Sequence, residues 1–226
     1  MADGLVIRGV ILDLDGTLID SMGVWYRLDR EFLRENGIAD PPADISERMK
    51  KMSIDESADY FVSHFGLSLT PLQVSERIRE MVRYEYEKRI CLKPYAKELL
   101  DRLDSLGIRY GVATATYSSL AEAVLKRCGV LDRMSFLLTD EQYPCGKNRP
   151  DIFEGAAILM GNVPCETLVV EDSLHCIQTA SGAGFPVAAV YDEAAAAERE
   201  KIEAAADWYC ASLREVADII DEYGRY

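Results

Sequence analysis

Short runs that are mostly apolar recur along the chain: Val10–Leu12, with its β-branched members, Ile108–Ala113, Phe136–Leu138, Leu168–Val170 and Pro186–Val190, with Trp208–Cys210 as a sixth, edge candidate. Between them stand longer stretches with apolar residues at helical spacing. These run over about 94–106 (ending at Gly107), 118–128, 151–160 (with Pro150 at its start), 174–182, the alanine-rich 193–206, and 212–223. Apolar runs without polar alternation read as strands buried on both faces of a sheet. Strands alternating with helices predict an α/β fold with a doubly wound parallel sheet.

Residues 20–93 break this rhythm. Trp25, Leu28, Phe32 and Leu33 recur at helical spacing, Asn36-Gly37 supplies a stop, and Pro41-Pro42 marks a turn. Further helical stretches follow near 53–65 and 71–89, the latter with Thr70 as cap, Pro71 at its first position and Gln73 three residues on. No alternating strand pattern occurs there. A plain βαβ unit takes about 30 residues, yet Asp13 and Thr114, at the ends of the first two strands, stand 101 residues apart. The surplus reads as an inserted all-helical domain over 21–93. The Rossmann-like core is then 1–20 and 94–226.

Charge narrows the function classes. The net charge of −14 repels nucleic acid and anionic membranes, so neither is expected as a partner. It also opposes an anionic substrate, so an anion site here needs local positive charge. No apolar stretch approaches the roughly 20 residues that span a bilayer. Asp3 and Arg8 interrupt any signal-like N-terminus, which makes a cytoplasmic protein the expectation. The six cysteines (Cys91, Cys128, Cys145, Cys165, Cys176 and Cys210) are scattered without a Cys-x-x-Cys pair. They read as reduced, mostly buried thiols.

Ligands of doubly wound sheets bind at the carboxyl ends of the strands, and chemistry-bearing residues sit after four of them. Asp13 and Asp15 follow the first strand, with Gly16 permitting a sharp turn. Two carboxylates that close repel unless a cation or proton lies between them, and Mg²⁺ with its oxygen ligands fits. Thr114-Ala115-Thr116 follows the second strand, Gly146-Lys147-Asn148-Arg149-Pro150-Asp151 the third, and Glu171-Asp172-Ser173 the fourth. Each alone is ordinary: a strand-end threonine, a solvated loop lysine, a helix cap. Their order along one α/β chain is what singles them out.

The string Asp13-Leu14-Asp15-Gly16-Thr17-Leu18-Ile19-Asp20-Ser21 resembles motif I of the haloacid dehalogenase superfamily of phosphohydrolases. Thr114 resembles motif II, Lys147 motif III and Glu171-Asp172 motif IV. The resemblance implies a Mg²⁺-dependent phosphatase whose helical insertion is a cap, as in phosphoglycolate phosphatases and β-phosphoglucomutases. It implies Asp13 as nucleophile forming an aspartyl-phosphate, and Asp15 as acid and then base. Thr114, Ala115 and Lys147 would hold the phosphate. The Asp13 carboxylate, the Asp15 carbonyl and Asp172 would hold the metal, with Glu171 water-mediated or behind them.

The chain also departs from that pattern. Ser173-Leu174-His175-Cys176 stands where such proteins often carry glycine, and His175 reads as a helix-surface residue. Trp25 occupies the place of a histidine in mutase-like relatives, and no arginine matches theirs near Lys50-Lys51-Met52-Ser53. A small phosphorylated metabolite is therefore the expected substrate and a sugar-phosphate mutase the alternative. A non-catalytic binding module would have lost one of Asp13, Asp15, Lys147 or Asp172. Ser21, Trp25, Tyr26 and Lys51 are cap candidates for specificity, with cap packing the other reading for Trp25. A monomer or weak dimer is expected.

Overall fold

The computed structural model describes residues 4–49, 52 and 54–225, apart from the side chains of Trp25, Tyr26 and Glu47. Six strands form one parallel sheet: β1 (Gly9–Leu12), β2 (Arg109–Thr114), β3 (Leu137–Thr139), β4 (Thr167–Glu171), β5 (Val187–Val190) and β6 (Trp208–Cys210). Their order across the sheet is β3-β2-β1-β4-β5-β6, with β6 at the edge. β1 lies between β2 and β4, pairing Ile11 with Gly111 on one side and Val169 on the other. All of β1, β4 and β5 is buried, as their unbroken apolar runs require.

Helices follow the strands: α5 (Ala96–Ser105), α6 (Ser118–Arg127), α7 (Asp151–Met160), α8 (Leu174–Gly182), α9 (Arg199–Ala205) and α10 (Leu213–Tyr223). The core packs Ile11, Val169, Val187 and Ala189 against Ile152, Phe153, Ala156 and Met160 of α7 and Ile177 and Ala180 of α8. The chain thus has a Rossmann-like core built by the expected alternation.

Two details differ from expectation. The alanine-rich stretch is a 3-10 turn over Glu193–Glu198 followed by the shorter α9. The Asp192 carboxylate accepts from the Ala194 N–H at 2.9 Å and starts that turn tightly, which alanine composition does not foretell. Cys91, Cys145 and Cys165 are exposed and only Cys176 and Cys210 are buried, so the expectation of mostly buried thiols is wrong. The exposed ones lie in connecting segments, whose backbone runs over the surface.

Ser21–Ile90 form a second compact unit, the first being Met1–Asp20 with Cys91–Tyr226. The second unit is helical: α1 (Met22–Glu35), α2 (Ile45–Met49), α3 (Ile54–Phe65) and α4 (Pro71–Lys88). The short α2 was not anticipated, having too few residues to show a period. Phe32 and Phe61 stack at 5.6 Å between ring centres. Thr70 and Gln73 form the reciprocal capping pair that starts α4. The buried Glu85 is paired with Arg27 at 3.1 Å and Arg89 at 2.9 Å. No helix among the described residues is long and apolar enough to cross a membrane.

Tyr95, which caps α5, has a φ of +65° and is the sole non-glycine residue described with positive φ. An aromatic residue in this region is strained. The Arg214 guanidinium lies 5.8 Å from its ring centre, an exposed contact of small value. Tyr95→Gly is expected to raise the unfolding free energy by about 0.5–1 kcal/mol. Urea denaturation checks this, and a loss above about 1 kcal/mol would show that the ring contact outweighs the strain.

Candidate active site

The site grows from the end of β1, at the point where the strand order reverses direction. The Asp13 N–H donates to Val170 O at 2.9 Å, so pairing with β4 persists one residue past the strand. Gly16, at φ +83°, then turns the chain back. Leu18 and Ile19 N–H groups both donate to Leu14 O at 2.9 Å, and Gly16 N–H donates to Ile19 O at 3.1 Å. This closed turn presents Asp15 and Thr17. The Thr17 hydroxyl donates to Asp172 Oδ1 at 3.3 Å.

The end of β2 approaches the same turn. Thr116 donates its hydroxyl to Asp15 Oδ2, and its N–H to the Thr114 hydroxyl oxygen at 3.0 Å. Thr114 is buried and Ala115 is exposed beside it. Beyond β3, a short 3-10 turn over Gly146–Asn148 carries Lys147 into the interior. Its ammonium donates to Asp13 Oδ1 and to Glu171 Oε1, the latter at 2.6 Å. The other Glu171 oxygen accepts the N–H groups of Asp172 and Ser173, both at 2.9 Å.

Asp13, Glu171 and Asp172 are all buried, and a carboxylate oxygen of each lies within 4.8 Å of the others. One ammonium faces three carboxylates. Burial pushes the Asp13 carboxyl up to about 7. Lys147 pulls against that shift, and the Glu171 charge adds to it. Asp172 is likewise held well above the usual carboxylate range, by burial and then by Glu171 and Asp13. Burial alone would lower the Lys147 ammonium, but Asp13 and Glu171 outweigh it and raise it. A buried excess of negative charge with only oxygen donors fits a hard divalent cation.

Asp13, Lys147, Glu171 and Asp172 thus form one buried cluster, and Asp15 and Thr114 are tied to it through Thr116 and the turn. Ser21 is buried, and its hydroxyl has no partner among the described residues. The backbone of Trp25 lies in α1, but the side chains of Trp25 and Tyr26, with all of Lys51, are outside the described residues. His175 is exposed, with Nδ1 3.0 Å from the Ser173 hydroxyl. Thr17 and Thr116 had no assigned role from sequence. Thr17 lies inside the motif I string and Thr116 two residues past Thr114, but only the folded chain shows which carboxylates they touch.

The sequence model of the family described as haloacid dehalogenase-like hydrolase matches residues 7–184. The N-acetylmuramic acid 6-phosphate phosphatase of Pseudomonas aeruginosa is 26% identical over 95% of this chain and 95% of its own. The β-phosphoglucomutase of Bacillus subtilis is 26% identical over 79% of this chain and 81% of its own. Among solved structures, an HAD family hydrolase from Deinococcus radiodurans superposes with a TM-score of 0.76 at 21% identity, over 96% of both chains. The family match spans β1 through α8, which carry every strand end of the buried cluster, and the chain belongs to the haloacid dehalogenase-like hydrolases.

Proposed function

We propose that this chain is a Mg²⁺-dependent phosphoric monoester hydrolase acting on a small phosphorylated sugar or related metabolite. The observation that carries the reading is the buried Lys147 held between Asp13 and Glu171, with Asp172 beside them, at the switch point of the sheet. The N-acetylmuramic acid 6-phosphate phosphatase relative supports the substrate class.

Asp13 attacks phosphorus through one carboxylate oxygen, and the bond from phosphorus to the leaving alkoxide breaks. Asp15, oriented by the Thr116 hydroxyl, delivers a proton to that alkoxide. It then takes the proton of a water that attacks the phosphorus, releasing inorganic phosphate and restoring Asp13. Lys147 holds Asp13 in place and, with Thr114 and the Ala115 backbone, binds the phosphoryl oxygens. Charge neutralisation and positioning supply most of the catalysis of phosphoryl transfer. Asp13, Asp172 and the Asp15 carbonyl would hold Mg²⁺, whose charge supplies further neutralisation of the phosphoryl group, and Glu171 would support it from behind.

Excess chelator is therefore expected to remove activity, with Mg²⁺ restoring it and Ca²⁺ not. Ca²⁺ accepts more oxygens at longer distances and can occupy both Asp13 oxygens, leaving none to attack. Full turnover in excess chelator would contradict the metal requirement.

The B. subtilis mutase relative favours a second reading, transfer of phosphate within a sugar. Trp25 in place of the histidine of such proteins argues against it. The deciding experiment is a screen of the purified protein with Mg²⁺ against sugar phosphates and other monoesters. Release of inorganic phosphate without added sugar bisphosphate supports the hydrolase. Isomerisation that depends on a bisphosphate supports the mutase. Ser21 and Trp25, at the start of the helical unit, are proposed to contribute to substrate choice. The reading carries a cytoplasmic location, a monomer or weak dimer, and neither nucleic acid nor membrane as partner.

A further inference from the structure

A largely enclosed cation, Lys93, lies outside the proposed catalytic set. Lys93 stands where the chain re-enters the first unit, and its side chain is only 13% exposed. Its ammonium pairs with Asp192 Oδ2 at 2.8 Å and donates to the carbonyls of Tyr191 (3.1 Å) and Gly16. Its own N–H donates to Leu18 O at 2.9 Å, while Leu92 bridges Ile19 and Cys91 O accepts from Asp20 N–H at 2.9 Å.

These contacts link two parts of the sheet that are not neighbours. Gly16 belongs to the turn after β1, and Tyr191 and Asp192 follow β5. The strand order puts β4 between them, and β4 ends in Glu171 and Asp172. The Lys93 ammonium thus spans from the β1 turn to the end of β5, past the strand that bears the acidic pair. It supplies a side-chain donor to the carbonyl of Gly16, which lies directly between Asp15 and Thr17 in sequence. It also balances Asp192, a buried carboxylate.

We propose that Lys93 is a positioning residue for the hydrolytic site. It clamps the turn after β1 through the Gly16 carbonyl, so that Asp15 and Thr17 stay in register with Thr116 and Asp172. This inference rests on the hydrolase reading above for its kinetic consequence, while the clamp itself is a property of the turn. A purely structural alternative is that Lys93 serves only to neutralise Asp192.

The test uses the full chain as Lys93→Met and as Lys93→Met with Asp192→Asn. In the single variant Asp192 is left buried without its counter-charge, so both the thermal midpoint and kcat fall. In the double variant the orphan charge is gone and the midpoint returns toward wild type. The Gly16 carbonyl still lacks its donor, so kcat for the best ester stays about 10- to 100-fold low, the scale expected for a misplaced catalytic group, with KM changed by less than about threefold. Amide hydrogen exchange at Gly16, Leu18 and Ile19 is expected to be about tenfold faster or more in the double variant. Recovery of kcat together with the midpoint, or unchanged exchange in the turn, overturns the proposal. If wild type turns over no ester, it is the hydrolase reading that fails, and the exchange measurement still decides whether Lys93 clamps the turn.

Discussion

Asp13→Asn is expected to lower turnover by about 10⁴-fold or more without destabilising the protein. In the proposed mechanism the amide lacks the anionic oxygen that attacks phosphorus, and no neighbouring carboxylate is free to substitute for it. Glu171 already spends one oxygen on Lys147 and the other on two backbone N–H groups. Asp172 accepts from the Thr17 hydroxyl at 3.3 Å. Stability should hold for a separate reason. In the metal-free protein Asp13 is a buried carboxylate pushed up to about 7, so ionising it at neutral pH opposes burial. Asparagine keeps the shape and removes one charge from a crowded set, and Lys147 remains paired with Glu171. The metal-free thermal midpoint of the variant should equal or exceed that of wild type, while steady-state assays show no turnover. Activity within about 100-fold of wild type in a folded variant would rule out Asp13 as the nucleophile.

The opposite pattern is expected for Lys147→Met, which should cost activity and stability together. Among the described residues Lys147 is the one cation paired within the cluster, and it holds both Asp13 and Glu171. Methionine fills much of the volume but leaves those carboxylates buried without a counter-charge. Removing one partner of a buried ion pair typically costs about 3–5 kcal/mol. Protonation of Asp13 softens this, so about 3 kcal/mol is expected at neutral pH, read as a lower urea midpoint. Turnover should fall about 10³-fold, because the phosphoryl oxygens lose their fixed cation and Asp13 loses its anchor. Millimolar Mg²⁺ should recover part of the stability, since it supplies the missing charge, but not the rate. A variant as stable as wild type in the absence of metal would mean that the carboxylates do not depend on Lys147.

Much of this architecture was legible in the chain because the residues involved obey local rules. Short unbroken apolar runs with β-branched members, such as Val10–Leu12 and Leu168–Val170, suit strands covered on both faces, and their alternation with helices argues for a parallel sheet. The capping pair Thr70–Gln73 and the proline at the head of α4 mark a helix start without reference to anything distant. The candidate residues were legible because strand ends in such a sheet are where ligands bind and because, in that order, Asp13, Lys147 and Glu171-Asp172 resemble the haloacid dehalogenase motifs; by position alone each is ordinary.

What sequence alone determined is the six strands, most of the helices, the helical character of the stretch between the first two strands and the identity of most charged groups at the strand ends. Contacts between residues far apart in the chain were decided only by the tertiary structure. Thr17 reaching Asp172, Thr116 fixing Asp15, and Lys93 bridging the β1 turn to the end of β5 join residues 77 to 155 positions apart in sequence. No periodicity or spacing encodes such pairs, because they depend on strand order and on which way each loop turns. The break between the 3-10 turn and α9 and the exposure of Cys91, Cys145 and Cys165 have the same origin. Local propensity sets what a segment prefers, whereas burial and side-chain hydrogen bonding are settled by neighbours that the fold brings from elsewhere.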